Sequence, residues 1–566
     1  MRRFNSLVAA LLLALCLQAV PFSRAQTSGQ HTAAAVSTSA AGKAAEQITA
    51  GQLKDYLYFV AADEMEGRDT PSRGLDLTAK FIAMNLSRWG VKPAGDDGTY
   101  FQKIALQRTR IAPEQSRVEI NGQKFNYGEA FLAQPVAAEV SGQLVYGGHG
   151  WVVNGKNINP YAGIDVKDKI IIVNGYGPRG INTVADLGVK EGVDWFSPSD
   201  YAKKNGAKAV ISFPLPEDLT NWSTQRRKEV EKGTLGVERF DKADGAGVPL
   251  ITVTRQIIDA LFQGEKVGDA EFTIARLFDF HDKAFALSTA KQVSLKLSTI
   301  VEKASTQNVV GVIEGKDPVL KNEYVAVGAH YDHVGTGQPS DTEGKFASTK
   351  DKNDTIWNGA DDDGSGTVAV LAMAQAFASG PRLKRSLLFV WHAGEEKGLW
   401  GARYFTETPS GSINIKQVVA QLNIDMIGRR KPEGDTNPAN KELAQRDEIY
   451  VIGSKMMSTE LGDLSERVNR GYLNLKFNYK YDDPKDPNQF FFRSDHFHYA
   501  QRGVPVIFYT DGEHEDYHRP SDAPDRIDYE QMLRVTRTIF MTASELADIK
   551  ARPQVDKKLP FELSGN

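Results

Sequence analysis

The chain has 566 residues, too long for one ordinary domain, and its 41 % hydrophobic and 25 % charged content excludes a disordered, collagen-like or polytopic membrane protein. A formal charge of −4 gives no global electrostatic argument for nucleic acid or an anionic membrane as partner. A single cysteine, Cys16, excludes a disulfide framework, a zinc finger and any thiolate cluster, so a metal here must be held by His, Asp and Glu.

Arg2 and Arg3 precede an apolar run from Leu7 to Val20, and the small residues Ser23 and Ala25 precede Gln26. This is the pattern of a secretory signal peptide over 1–25, cleaved after Ala25, and it is too short for a membrane span. Cleavage leaves no cysteine and predicts an exported protein, periplasmic or secreted, with no stable membrane insertion. Residues 26–45, rich in Ala, Ser, Thr and Gly, read as a flexible leader. A first block, 46–130, opens with Leu53, Leu57, Val60, Ala61 and Met65 at helical spacing. The turn-rich Glu66-Gly67-Arg68-Asp69-Thr70-Pro71 follows, then a second amphipathic helix over Thr78–Trp89.

A second block, 131–291, predicts short strands at Gly142–Gly147, Lys169–Val173, Ala209–Phe213 and Val248–Val253, with a helix ending at Tyr201–Asn205. Its density of strands and turns implies a separate, β-rich α/β unit. A third block, 292–550, alternates strands (Val309–Glu314, Tyr324–Gly328, Leu387–Trp391, Val418–Ile424, Val504–Tyr509) with helices (Thr367–Ala378, Gln531–Ala547). Apolar strands separated by helices imply α/β architecture with a mostly parallel sheet covered on both faces. Residues 551–566 read as a tail.

The polar clusters of the third block fall at the C-terminal ends of these strands, where such folds place their sites. They are Ala329-His330-Tyr331-Asp332-His333, the helix-opening Gly359–Gly366 with Asp361, Asp362 and Asp363, then His392-Ala393-Gly394-Glu395-Glu396, Asn423-Ile424-Asp425-Met426, and Asp511 to His518. Seven of the ten histidines lie between His330 and His518, so the clusters converge although each alone would pass for a helix cap or a surface residue. Two histidines and three carboxylates suit two zinc ions with a bridging carboxylate. A further carboxylate must stay outside the metal shell as general base, and Glu395 and Glu396 supply base and ligand in either order. Asp332, two residues from His330 on an extended segment, is placed to orient that imidazole.

These motifs resemble the dizinc aminopeptidases, a family that includes secreted bacterial leucine aminopeptidases and glutamate carboxypeptidase II. The matching segments are Gly328–His333, Gly359–Gly366, Gly394–Gly398, Asn423–Gly428, Ser494-Asp495-His496 and Tyr517-His518, in the family's order. Asp63–Arg68 is similar to the start of such peptidase domains. The second block, with Tyr161–Ile170 and Asn205–Val210, is similar to an inserted protease-associated domain.

The resemblance implies a zinc exopeptidase fold, with one zinc held by His330 and Asp425, the other by Glu396 and His518, and Asp362 bridging. It implies a cis Asp362–Asp363 peptide and Glu395 as general base. The expected activity is removal of N-terminal residues from peptide substrates. Phe491 stands where some members place an oxyanion-donating tyrosine, and Tyr517 is the candidate donor instead. His333, His392, His496, His498 and His514 are expected to support or pack. Other readings of the resemblance are a glutamate carboxypeptidase-like enzyme, for which Arg493, Arg403 or Arg429 would bind a substrate carboxylate, a silent transferrin-receptor-like binding protein, and a one-zinc glutaminyl cyclase.

Overall fold

The computed structural model describes residues 39–182, 186–188, 191–214, 221–240, 247–273, 276, 279–337 and 353–558. The expected signal peptide and most of the expected leader lie outside these residues. The chain forms two compact units, one from residues up to Phe101 and from Val309 onward, the other from Gln102–Asn308.

The discontinuous unit opens with three helices, α1 (Ala40–Ala45), α2 (Ala50–Val60) and α3 (Arg73–Arg88). The leader therefore ends before Ala40, because Ala44 and Ala45 are buried in the main core. Ser72 caps α3 by accepting from the Leu75 N–H. The sheet is built from β1 (Thr299–Ile313, entering this unit at Val309), β2 (Tyr324–His330), β3 (Ser386–His392), β4 (Val418–Ile424), β5 (Glu448–Ile452), β6 (Lys476–Asn478) and β7 (Val506–Thr510). These seven strands run in the order β1-β3-β2-β4-β7-β5-β6, and the two-residue strand Lys92–Pro93 also pairs antiparallel with β1. β3, β2, β4 and β7 are parallel neighbours, whereas β1 runs antiparallel to β3 and β5 antiparallel to β7. Every residue of β3 and β4 is buried, as expected of central strands covered on both faces.

The central helix α4 (Gly366–Ser379) is apolar almost all round and is buried beneath α2 and a long helix, α5 (Tyr529–Asp548). Gly366 starts α4 because a Cβ there would lie 2.3 Å from the Ile424 carbonyl at the end of β4. The helix thus enters directly against a strand end. The predicted strands and helices recur with ends shifted by at most five residues, as where α3 begins at Arg73 rather than Thr78, except that β1 begins at Thr299, ten residues before the predicted Val309. β5, β6 and the helix Thr459–Gly471 were not anticipated. Residues 552 and 556 bond to backbone atoms of this unit, so the described part of the expected tail, 551–558, is anchored there.

The second unit holds a six-stranded sheet, ordered Phe285–Ala286, Leu144–Tyr146, Ile170–Val173, Ala209–Ser212, Leu250–Val253 and Phe131–Ala133, and a four-stranded antiparallel sheet. The latter pairs Gln123–Asn126, Arg117–Ile120, Val293–Leu297 and Ala138–Gly142. This corrects the sequence boundaries of 131–291. Arg117–Ile120 and Val293–Leu297 are partners in one sheet, and their inward side chains Val118, Ile120, Val293 and Leu295 join one core with Ile170 and Ile251.

His496 begins a short helix with its ring stacked on Phe508 of β7 at 4.6 Å. Burial pushes its pKa down to about 3 from 6.5. The neutral ring is favoured in the folded state, so this stabilisation is present above pH 6.5 and is lost as pH falls toward 3. Chemical denaturation at pH 7 and pH 4.5 should show a fall for the wild type that exceeds that of H496F by about 2–3 kcal/mol.

Candidate metal centre

The site lies where β2, β3, β4 and β7 end. Strand β2 delivers His330, the turn after β3 delivers Glu395 and Glu396, and the first residue after β4 is Asp425. The segment after β7 delivers Tyr517 and His518. Asp362 comes from the turn Ala360–Ser365 that opens α4, and the Asp362–Asp363 peptide is cis, as the resemblance implies.

The five expected ligands come together. His330 Nε2 lies 3.2 Å from Asp362 Oδ1 and 3.6 Å from Asp425 Oδ1. His518 Nε2 lies 3.0 Å from Asp362 Oδ2 and 3.1 Å from Glu396 Oε2. Asp362 therefore faces one imidazole with each oxygen. All except His518 have nearly buried side chains, and His518 is 18 % exposed.

Two further residues join the donors, and sequence reasoning had not placed them there. His333 Nδ1 is 2.8 Å from Glu396 Oε1, and ligand atoms of His333, Asp362, Glu396 and His518 all lie within 4.8 Å of one another. Asp363 groups likewise with His330 and Asp425, but its Oδ1 accepts from the Gly366 N–H at 2.8 Å and tightens the helix start.

The supporting contacts differ from expectation at Asp332. His330 Nδ1 faces the Asp332 backbone carbonyl at 3.1 Å, and the carboxylate is more distant, at 3.8 Å. That carboxylate instead accepts the Glu395 N–H at 3.1 Å and the Thr70 hydroxyl at 3.1 Å. The reason is that His330 ends the strand, so the chain turns and points the Asp332 side chain at the neighbouring β3 turn. Ser494 donates to Asp425 Oδ2 at 2.6 Å. His392 pairs with Asp495 at 3.3 Å and His514 with Asp361 at 3.3 Å, consistent with supporting roles. Phe491 is buried against His496. The Tyr517 ring stacks on His518 at 4.0 Å.

Beneath the donors, the fully buried Arg68 donates to the carbonyls of Val60, Tyr331, Asn358 and Gly359 at 2.7–3.0 Å. Asp522 accepts the backbone N–H groups of Asp361 and Asp362 at 3.0–3.1 Å. These two residues fix the loops that carry His330 and Asp362.

The electrostatics of the pocket call for cations. Burial alone would push the His518 pKa down, yet hydrogen bonds to Asp362 and Glu396 raise it to about 10. Burial pushes Glu395 well above the usual carboxylate range, with Glu396, Asp425 and Asp495 adding to the effect and His330 opposing it. Glu396 Oε1 and both nitrogens of His333 are buried without a hydrogen bond among the described residues. Nitrogen and carboxylate donors at these separations fit zinc, which takes such ligands at about 2.0–2.2 Å with His neutral.

The unit is thus a parallel-centred α/β fold whose imidazoles and carboxylates converge at its strand ends, where such folds place their sites. Residues 308–543 match the model of Peptidase family M28. The chain is 23 % identical over 358 residues to aminopeptidase YwaD of Bacillus subtilis, covering 62 % of this chain and 66 % of the relative. It is 27 % identical over 217 residues to leucine aminopeptidase 2 of Trichophyton equinum, covering 38 % of this chain and 35 % of the relative. These matches thus span less than two thirds of the relatives' length. The fold is similar to that of an aminopeptidase from Aneurinibacillus sp. strain AM-1 (TM-score 0.50, 19 % identity), covering 92 % of this chain and 98 % of that one.

Replacing Arg68 by Met removes the donors of four carbonyls and a buried positive charge. R68M is expected to lose about 3–5 kcal/mol in chemical denaturation, whereas an exposed change such as R73M should cost under about 0.5 kcal/mol.

Proposed function

We propose that this protein is an exported dizinc aminopeptidase that removes N-terminal residues from peptides. The observation that carries this reading is Asp362, one oxygen of which faces His330 while the other faces His518. His330 and Asp425 would hold one zinc and Glu396 and His518 the other, with Asp362 available to both. Two such ions, when bound, lower the pKa of a water toward about 7 and polarise the scissile carbonyl.

The remaining work falls to the chain's own groups. Glu395 accepts the water proton on its carboxylate and passes it to the leaving amine nitrogen. Its raised pKa suits this, since burial and like charges make it ready to hold a proton, although bound dications would reduce the shift. Asp332 fixes the Glu395 peptide through the N–H bond and so aims the side chain. Tyr517 donates its hydroxyl to the developing oxyanion, its ring held against His518.

The carboxypeptidase reading needs a free cation at the site. Arg493 pairs with Glu513 at 2.6 Å, Arg429 with Asp516 at 2.9 Å and Arg403 with Glu407 at 3.2 Å, so each already has a carboxylate partner. The presence of every expected ligand and of Glu395 argues against the silent binding protein, and the doubly faced Asp362 against a one-zinc cyclase. The N-terminal sequence supports export, and no helix among the described residues is long and apolar enough to cross a membrane. The second unit, with its β-rich α/β character, is assigned as a protease-associated module.

Chelation should abolish turnover of aminoacyl substrates, and zinc should restore it. In a panel of free and N-blocked peptides, only free N-termini should be cleaved; equal cleavage of blocked peptides would reject the aminopeptidase reading. E395Q should keep its zinc, measured by metal analysis, and lose at least about 100-fold in kcat.

A further inference from the structure

We infer that His333 is a direct ligand of the zinc held by Glu396 and His518, giving that ion four protein side chains while the other keeps three. The inference rests on the two-ion reading above and concerns a residue that the family pattern leaves without a role.

Three observations carry it. His333 has no exposed surface, and neither ring nitrogen makes a hydrogen bond among the described residues. An imidazole so buried is costly unless something binds it. Second, Nδ1 is aimed at the donor group, 2.8 Å from Glu396 Oε1 and 3.8 Å from Asp362 Oδ2. The Glu396 oxygen it meets is also buried, so the ring nitrogen and the carboxylate face each other at a spacing that two ligands of one ion share. Ligands about 2.0–2.1 Å from a common zinc are separated by about 3–3.5 Å. The distances from His333 and from His518 to the same two carboxylates scatter around that value. The two rings meet edge to face at 5.5 Å, as two imidazoles converging on one point would.

Third, the backbone holds the ring in place. The His333 N–H donates to the Arg68 carbonyl at 3.2 Å. Gly359 has φ +57°, and a Cβ there would lie 2.4 Å from His333 Cγ, so the ring occupies the space a side chain at 359 would need. The tight loop and the glycine together leave the ring little freedom.

The consequence is an asymmetric pair. The ion at His333, Asp362, Glu396 and His518 has a nearly complete set of protein donors, as structural zinc sites do. The ion at His330, Asp362 and Asp425 keeps room for an exchangeable ligand, so the substrate carbonyl is expected there.

The test uses the full chain, depleted of metal and reloaded with zinc. Zinc K-edge X-ray absorption should report three imidazoles over two ions in the wild type and two in H333A. Competition with a chromophoric chelator should show one of the two zinc affinities falling at least about 10-fold in H333A and the other unchanged. Free imidazole should restore the lost affinity in H333A, which a purely packing role would not allow. If H333A fails to fold, H333Q is measured in the same way. Two tightly bound ions with unchanged affinities and imidazole count in the variant would overturn the assignment of His333 alone. A wild type that binds fewer than two zinc ions would overturn the two-ion reading and this inference with it.

Discussion

Carboxylates withdrawn from water must be compensated, and this chain withdraws many of them around one point. Asp332, Asp361, Asp362, Asp363, Asp425, Asp495, Asp511 and Asp522 are all buried in the same unit. An ionised carboxylate in a low-dielectric interior is tolerated only when paired, hydrogen-bonded or bound to metal. The structure meets the requirement in layers. Backbone N–H groups serve Asp363, Asp332 and Asp522, while imidazoles serve Asp361 and Asp495. Burial pulls the guanidinium pKa of Arg68 below its ordinary value, and the charges of Asp522, Asp332, Asp363 and Asp362 oppose that shift. What remains at the pocket's centre, Asp362, Glu396 and Asp425, is the part that two divalent ions would complete.

The fold makes this concentration feasible. Parallel strands end together, so five chain segments far apart in sequence deliver side chains to one edge of the sheet. Asp362 sits in the turn that opens α4, where Asp522 accepts its N–H and Gly366 approaches β4 closely. Asp332 shows how the layers interlock. It follows the strand end that carries the His330 imidazole, yet its carboxylate accepts the N–H of Glu395.

Much of this was readable from residues alone. The central strands announced themselves as apolar runs because both faces are covered, and the polar clusters followed directly after them. His330, Asp362, Glu395, Glu396, Asp425 and His518 were all named from that pattern together with the family resemblance. The unit boundaries were misread because Arg117–Ile120 and Val293–Leu297 are short, and nothing local says that they pair across more than 170 residues. The same limit applied to Asp332, whose target depends on which way the chain turns after His330.

The sequence by itself determined the donor inventory, the strand-end placement and, through its single cysteine, the exclusion of a thiolate cluster. These follow from residue type and local periodicity, which need no knowledge of the rest of the chain. Only the tertiary structure decided that Arg68 closes onto carbonyls 263 to 291 residues away, that Asp522 holds the Asp362 backbone, and that His333 faces Glu396. Each of these is a long-range closure. Its existence depends on how distant segments pack, and a buried polar atom reveals its partner only once the chain has brought the two together.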